Sequence, residues 1–130
     1  MATAPLLLDT KHFLWWQEGS PRIAPPTIAL IEGASQVFVS AMTAVEIAVK
    51  VSIGKLRVPD TPFQEAIASA GFTSLPFAVH HAEVLRILPP HHRDPFDRML
   101  VAQAIADGLT LVPSDATLSA YRVRLARTSQ

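Results

Sequence analysis

The sequence predicts an α/β chain: a short parallel sheet with helices on both faces. Short apolar or β-branched runs (Leu6-Leu7-Leu8, Val37-Phe38-Val39 and the stretch from Leu109 to Val112) alternate with segments of helical periodicity. The runs are almost free of polar residues, as strands covered on both faces require. Two acids, Asp9 and Asp115, stand just beyond such runs, where ligands gather in open parallel sheets.

The elements follow in order. Strand 1 is Leu6 to Leu8. Residues 10–17 form a short helix that turns Phe13, Leu14 and Trp16 inward, and Gly19-Ser20-Pro21 ends it. Residues 23–32 carry Ile23, Thr27, Ile28 and Ile31 at helical spacing, with Pro25 and Pro26 in the first turn and Gly33 as the stop. Val37 to Val39 is strand 2. Ser40 or Thr43 caps the next helix, which runs to about Ser52. Its apolar residues Val45, Ile47, Ala48, Val49 and Val51 cover most of the circumference, so it is expected to be deeply packed. Residues 56–62 connect to a helix over 63–69 ended by Gly71. Residues 73–76 are extended. A helix over 78–88 leads to the loop Pro89-Pro90-His91-His92, where proline excludes helix. Residues 95–107 form the best-defined helix, with Phe96, Leu100 and Ala104 on one row and Gly108 as its C′ residue. The run from Leu109 to Val112 is a strand, residues 116–120 a helical turn, and residues 121–125 alternate as a final strand or tail.

At 130 residues the chain is expected to be a single domain spanning 1–130, long enough to bury a core. The 49% hydrophobic and 17% charged content excludes a disordered class. Eleven Lys and Arg balance eleven Asp and Glu, so a nucleic-acid partner needs a local basic patch. Cysteine is absent, which removes disulfides and thiolate metal sites and fits a reducing cytoplasm. No signal peptide is evident, and no apolar run approaches the roughly 20 residues of a membrane helix.

The acids carry the chemistry, and each has a local explanation beside a functional one. Asp9 N-caps the helix at Thr10 or serves as a ligand. Thr43 and Glu46 fit a capping box, yet Glu46 is surrounded by apolar positions that a surface helix start does not need. In Asp94-Pro95-Phe96-Asp97, Asp at N-cap, Pro at N1 and Asp at N3 make a near-ideal helix start, and the same acids reach one edge of a site. Asp115 caps the turn after it or joins the others. Glu18, Glu32, Asp60, Glu65, Glu83 and Asp107 sit in polar or turn contexts and read as solvated. Carboxylates brought together without cations repel, by on the order of 4 kcal/mol per pair at ~4 Å and an effective dielectric near 20. A divalent cation removes that penalty. Oxygen ligands without Cys point to Mg²⁺ or Mn²⁺ rather than Zn²⁺. The adjacent pairs His80-His81 and His91-His92 read as solvated rather than metal-binding. Trp15-Trp16 reads as core plus a partly exposed ring.

The order of these acids, with LLLDT, VFVSAMTAVEIAVKVSIGKL and LPPHHRDPFDRMLVAQAIADGLTLV, resembles the PIN-domain ribonucleases, and within them the VapC toxins of bacterial toxin–antitoxin pairs. The resemblance runs from about Leu6 to Tyr121, and HRDPFDRMLVAQA is its most specific part. It implies a three-layer PIN-like fold, Mg²⁺-dependent RNA cleavage leaving a 5′-phosphate and a 3′-hydroxyl, and a cognate VapB-like antitoxin. By position, Asp9, Glu46 and Asp97 fall on the family's acidic centre, Asp115 on its fourth acid and Asp94 on a flanking acid. Two departures stand out. Pro113 occupies the place of a frequent hydroxyl, with Ser114 displaced by one, and Lys11 stands where related sequences often carry His.

The expected activity is thus a cytoplasmic metal-dependent endoribonuclease. Asp9 and Asp97 hold Mg²⁺ (or Mn²⁺), and Glu46 and Asp115 complete the shell, orient water or hold a second ion. Lys11, Lys50, Lys55, Arg93 and Arg98 lie near the acids in sequence and steer RNA, as could a basic tail of Arg122, Arg124 and Arg127. An inert binding module of the same fold is the main alternative. A phospho-aspartate mechanism at Asp9 ranks last, because it needs a second acid where Lys11 stands. Phe13, Trp15, Phe63 and Phe72 are candidates for exposed apolar surface, suited to a homodimer or to an antitoxin segment whose Arg enters the acidic site.

Overall fold

The computed structural model describes residues 5–121 and 123–126, so Arg122 and Arg127 of the basic tail lie outside the described residues. The chain runs β1 (Leu6–Leu8), α1 (Thr10–Glu18), α2 (Pro25–Gly33), β2 (Val37–Ser40), α3 (Ala41–Ser52), α4 (Phe63–Ser69), β3 (Thr73–Leu75), α5 (Val79–Ile87), α6 (Pro95–Asp107) and β4 (Thr110–Val112). A 3₁₀ turn (Ala116–Ala120) and β5 (Arg124–Leu125) complete it. The strands form one sheet in the order β3-β2-β1-β4-β5, and every pairing is parallel. This is the predicted fold class. The extended segment after Gly71 and the alternating tail are both genuine edge strands.

β1 is central, paired with β2 on one side and β4 on the other. Its three leucines are fully buried because both faces are covered, and the pleat divides them. Leu6 and Leu8 pack with Phe13, Ile31, Val39, Ile47 and Val112, beneath α1 and α2. Leu7 packs with Leu100, Val101, Ala104 and Leu111, beneath α6. Gly108 closes α6 in the left-handed conformation at φ 67°, which turns the chain directly into β4. From β1 the chain winds outward to β2 and β3; after α6 it returns to β4 and continues to β5 on the other side. The chain therefore changes direction between β1 and β4, and the crevice of a doubly wound sheet opens there, at the strands' C-terminal ends.

Three expectations about packing need correction. α3 is not deeply packed: it buries only Thr43, Glu46 and Ile47, while Val45, Val49 and Val51 are each more than 40% exposed. Its apolar circumference exceeds what its neighbours cover. Phe13 and Phe72, in contrast, are core residues at 3% and 8% exposure, whereas Trp15 and Phe63 are partly exposed. The unpartnered apolar surface lies instead on α3, at Ile53, and at Val79 and Ile87 of α5. A count of oily residues does not reveal which side of a helix they occupy. α2 also begins two residues later than its apolar spacing suggests, with Pro25 and Pro26 occupying its first two positions, where their missing N–H groups cost nothing.

Candidate metal centre

The crevice at the ends of β1 and β4 collects the acids. Asp9 follows β1 and is 3% exposed. It caps α1 and also reaches across the crevice: Oδ1 accepts the backbone N–H of His12 at 2.9 Å, while Oδ2 accepts the N–H of Ser114, beyond β4, at 2.6 Å. His12 Nδ1 also lies 2.9 Å from Oδ1. These contacts fix the carboxylate and leave lone-pair capacity on Oδ2.

Glu46 enters from α3. The capping-box explanation fails, because Ser40 is the N-cap, its Oγ accepting the N–H of Met42. Thr43 and Glu46 instead point into the fold. Thr10 Oγ1 donates to Glu46 Oε1 at 2.7 Å and lies 3.2 Å from Thr43 Oγ1, while Lys50 Nζ donates to Glu46 Oε2 at 2.7 Å. The hydrogen bond to Glu46 raises the Lys50 pKa above its ordinary 10.5, against slight burial and with help from Asp94 and Asp97. Glu46, 5% exposed, thus has both oxygens engaged. Replacing Thr10 by Val removes a buried hydrogen bond to a charged group. It is expected to lower unfolding free energy by roughly 1.5–3 kcal/mol, read as a shifted urea midpoint at constant slope.

Asp94 and Asp97 come from the start of α6. Asp94 is the cap, accepting the N–H groups of Phe96 and Asp97 at 2.9 and 3.2 Å. Asp97 then projects into the crevice. Burial, followed by repulsion from Asp94 and Asp9, lifts its pKa to about 6, despite the opposing pull of His92, and Glu46 adds to the rise. A helix N-terminus alone favours the ionised form. Here desolvation and like charge overcome it.

Asp115, beyond β4, meets Asp97 through His92, whose Nε2 lies 3.0 Å from Asp97 Oδ2 and 3.2 Å from Asp115 Oδ2. The structure thus brings Asp9, Glu46, Asp94 and Asp97 into one electrostatic neighbourhood, with Asp115 beside Asp97. The donor chemistry fits a divalent ion. Several carboxylates converge, and among the described residues no Lys or Arg pairs with Asp97.

Three participants were not read from sequence as site residues: His12, Thr10 and His92. His12 sits three residues after a capping Asp, a spacing that places both on one turn and could have flagged it. Lys11, at the place where a His was expected, is exposed, and the neighbouring His12 holds Asp9 instead. His92 was expected to be solvated, but its side chain is only 17% exposed, and its backbone N–H donates to Tyr121 Oη at 2.9 Å.

A second cluster, His80, His81 and Asp107, joins α5 to α6, with both rings 2.8 Å from the carboxylate. The Ala78 N–H donates to His81 Nδ1 at 2.8 Å, so His81 Nε2 carries the hydrogen and donates to Asp107. A nitrogen so committed is not a metal ligand, and the cluster is a clamp between helices. Burial is the largest single influence on Asp107 and raises its pKa, but the contacts with His80 and His81 together outweigh it and hold the carboxyl below its ordinary value.

Residues 6–123 match the family model of the PIN domain, and the chain belongs to the PIN domain family. Its fold resembles those of several solved structures. A chain of the VapBC2 complex of Rickettsia felis, bound to a DNA fragment from its promoter, superposes with a TM-score of 0.67 at 15% identity, covering 94% of this chain and 97% of that one. A chain of FitAcB from Neisseria gonorrhoeae gives 0.66 at 18% identity, covering 95% and 97%. A chain of a toxin–antitoxin complex from Klebsiella pneumoniae gives 0.62 at 16% identity, covering 93% and 96%. No curated protein matches the sequence.

Proposed function

We propose that this chain is a divalent-metal-dependent endoribonuclease acting as the toxin of a toxin–antitoxin pair. The observation that carries the reading is the convergence of Asp9, Glu46, Asp94 and Asp97 on one crevice at the C-terminal ends of β1 and β4, where the pKa of Asp97 is pushed up to about 6. Acids held together at a partly desolvated site, with repulsion added to burial, are arranged for a cation. Membership of the PIN family and likeness in fold to toxin–antitoxin proteins support the same reading.

Asp9 and Asp97 would hold the ion, Mg²⁺ or Mn²⁺, with Asp115 alongside. When bound, it supplies Lewis-acid polarisation of the scissile phosphate and an acidified water. Glu46, clamped between Thr10 and Lys50, is placed to orient a proton-bearing group rather than to move. Exposed Lys11, Lys55 and Arg93 extend the positive field towards an RNA backbone. The exposed valines of α3 and the adjoining apolar cleft lined by Leu14, Val58 and Phe63 suit an amphipathic antitoxin segment, and the apolar α5 surface suits a second copy of the chain. No helix among the described residues is long and apolar enough to cross a membrane.

Incubation with cellular RNAs and Mg²⁺ or Mn²⁺ tests the activity. Cleavage is expected to vanish with chelator and with Asp9→Asn; an Asp9→Asn protein that cuts at the wild-type rate would sink the assignment. Intact metal binding with no cleavage of any RNA would favour the inert module instead.

A further inference from the structure

His92 lies between two acids of the crevice, whereas His12 serves only Asp9. Resting on the reading of this crevice as a metal centre, we propose that His92 Nε2 is a nitrogen ligand, forming with Asp97 Oδ2 and Asp115 Oδ2 one face of the coordination shell and biasing the site towards Mn²⁺ over Mg²⁺.

The geometry separates this from an ordinary ion pair. Nε2 is fully buried and makes no aligned hydrogen bond, although two carboxylate oxygens lie at 3.0 and 3.2 Å. A ring N–H serving as a donor would point at one of them. The one ligand atom that each of the three residues offers lies within 4.8 Å of the other two. Bonds of about 2.1 Å meeting at right angles put neighbouring donor atoms ~3.0 Å apart, close to the two separations seen. The backbone that carries the ring is also held in place independently of any ion. The His92 N–H donates to the buried Tyr121 Oη, and Arg98 Nη2 donates to the Leu88 carbonyl at 2.9 Å, pinning the start of the loop to α6. The contrast with His81 is direct, because that ring has its Nδ1 occupied as an acceptor and its Nε2 committed as a donor. Mg²⁺ prefers oxygen, whereas an imidazole donor adds affinity for first-row transition ions.

The test is Mn²⁺ added to the full chain, read by electron spin-echo modulation for coupling to ¹⁴N and by calorimetry. Wild type is expected to show imidazole nitrogen coupled to Mn²⁺. His92→Gln should lose that coupling and bind Mn²⁺ at least ~tenfold more weakly, with a smaller change for Mg²⁺. His80→Gln, in the other cluster, should keep both properties. The wild-type spectrum requires no variant to fold. Mn²⁺ binding that Asp97→Asn weakens but that shows no nitrogen coupling overturns the His92 assignment alone. Absence of any Mn²⁺ or Mg²⁺ binding overturns the metal centre with it.

Discussion

Asp97→Asn is expected to make the metal-free protein more stable while removing the proposed cleavage of RNA. The folded pKa of Asp97, about 6, lies above its ordinary value of 3.8, so folding favours the protonated form. The group's cost to stability is absent at low pH, grows as pH rises from about 4, and is complete above about 6. An amide mimics the protonated state at every pH. Allowing for solvent screening of a partly exposed group, the relief at pH 7 is about 1–2 kcal/mol. That corresponds to a rise in Tm of roughly 3–8 °C for a chain of this size. The rise should shrink towards pH 4, which separates electrostatic relief from better packing. Cleavage should fall at least ~10³-fold, since stabilisation of transition-state charge by a bound metal is worth several kcal/mol. Thermal melts across pH in EDTA and single-turnover cleavage in Mg²⁺ read the two effects separately. A variant less stable than wild type at pH 7 would contradict the repulsion that defines the site.

Leu7→Ala should be the most damaging core change, costing roughly 3–5 kcal/mol. Leu7 is 0% exposed on the central strand, with α6 packed over it, and its neighbours Val101 and Leu111 are equally buried. The surrounding elements cannot collapse into the cavity without breaking two parallel pairings. Against a total stability of about 5–15 kcal/mol, the loss approaches unfolding. Val45→Ala deletes comparable apolar bulk from α3 but should change stability by less than about 0.5 kcal/mol, because Val45 is 42% exposed. Urea midpoints of the two variants measure the difference. A large cost for Val45→Ala would mean that the outer face of α3 is covered in solution.

Much of this architecture was legible because its signals are local. Three leucines followed by an acid mark a doubly covered strand and its C-terminal end, and the Asp-Pro-x-Asp start of α6 encodes its own cap. Asp9 illustrates the limit. The local pattern offers capping or ligation, and in the structure capping by Oδ1 leaves Oδ2 facing the crevice. Glu46 illustrates another. Thr43-x-x-Glu46 has the local pattern of a capping box, but Thr10 is a better partner and lies 36 residues from Glu46. His92 had no periodicity to reveal it. Its place depends on Tyr121, 29 residues further on, and on the arginine that anchors its loop. Apolar content identified α3 as oily but not which of its valines lacked a neighbour, since that depends on where α1 and α6 come to rest.

The hydrogen bond from Ser114 N–H to Asp9 Oδ2 joins residues 105 positions apart, and β1 completes its pairing only when Thr110–Val112 arrives beside it. During synthesis, Asp9 emerges well before Asp115. A nascent chain therefore has helices, and acids at their starts, long before it has a crevice. Such long-range pairing is the slow part of folding for this topology. The proposed nuclease is thus withheld from activity by its own strand order until β4 has been made, and a cut between α6 and β4 separates the halves of the site.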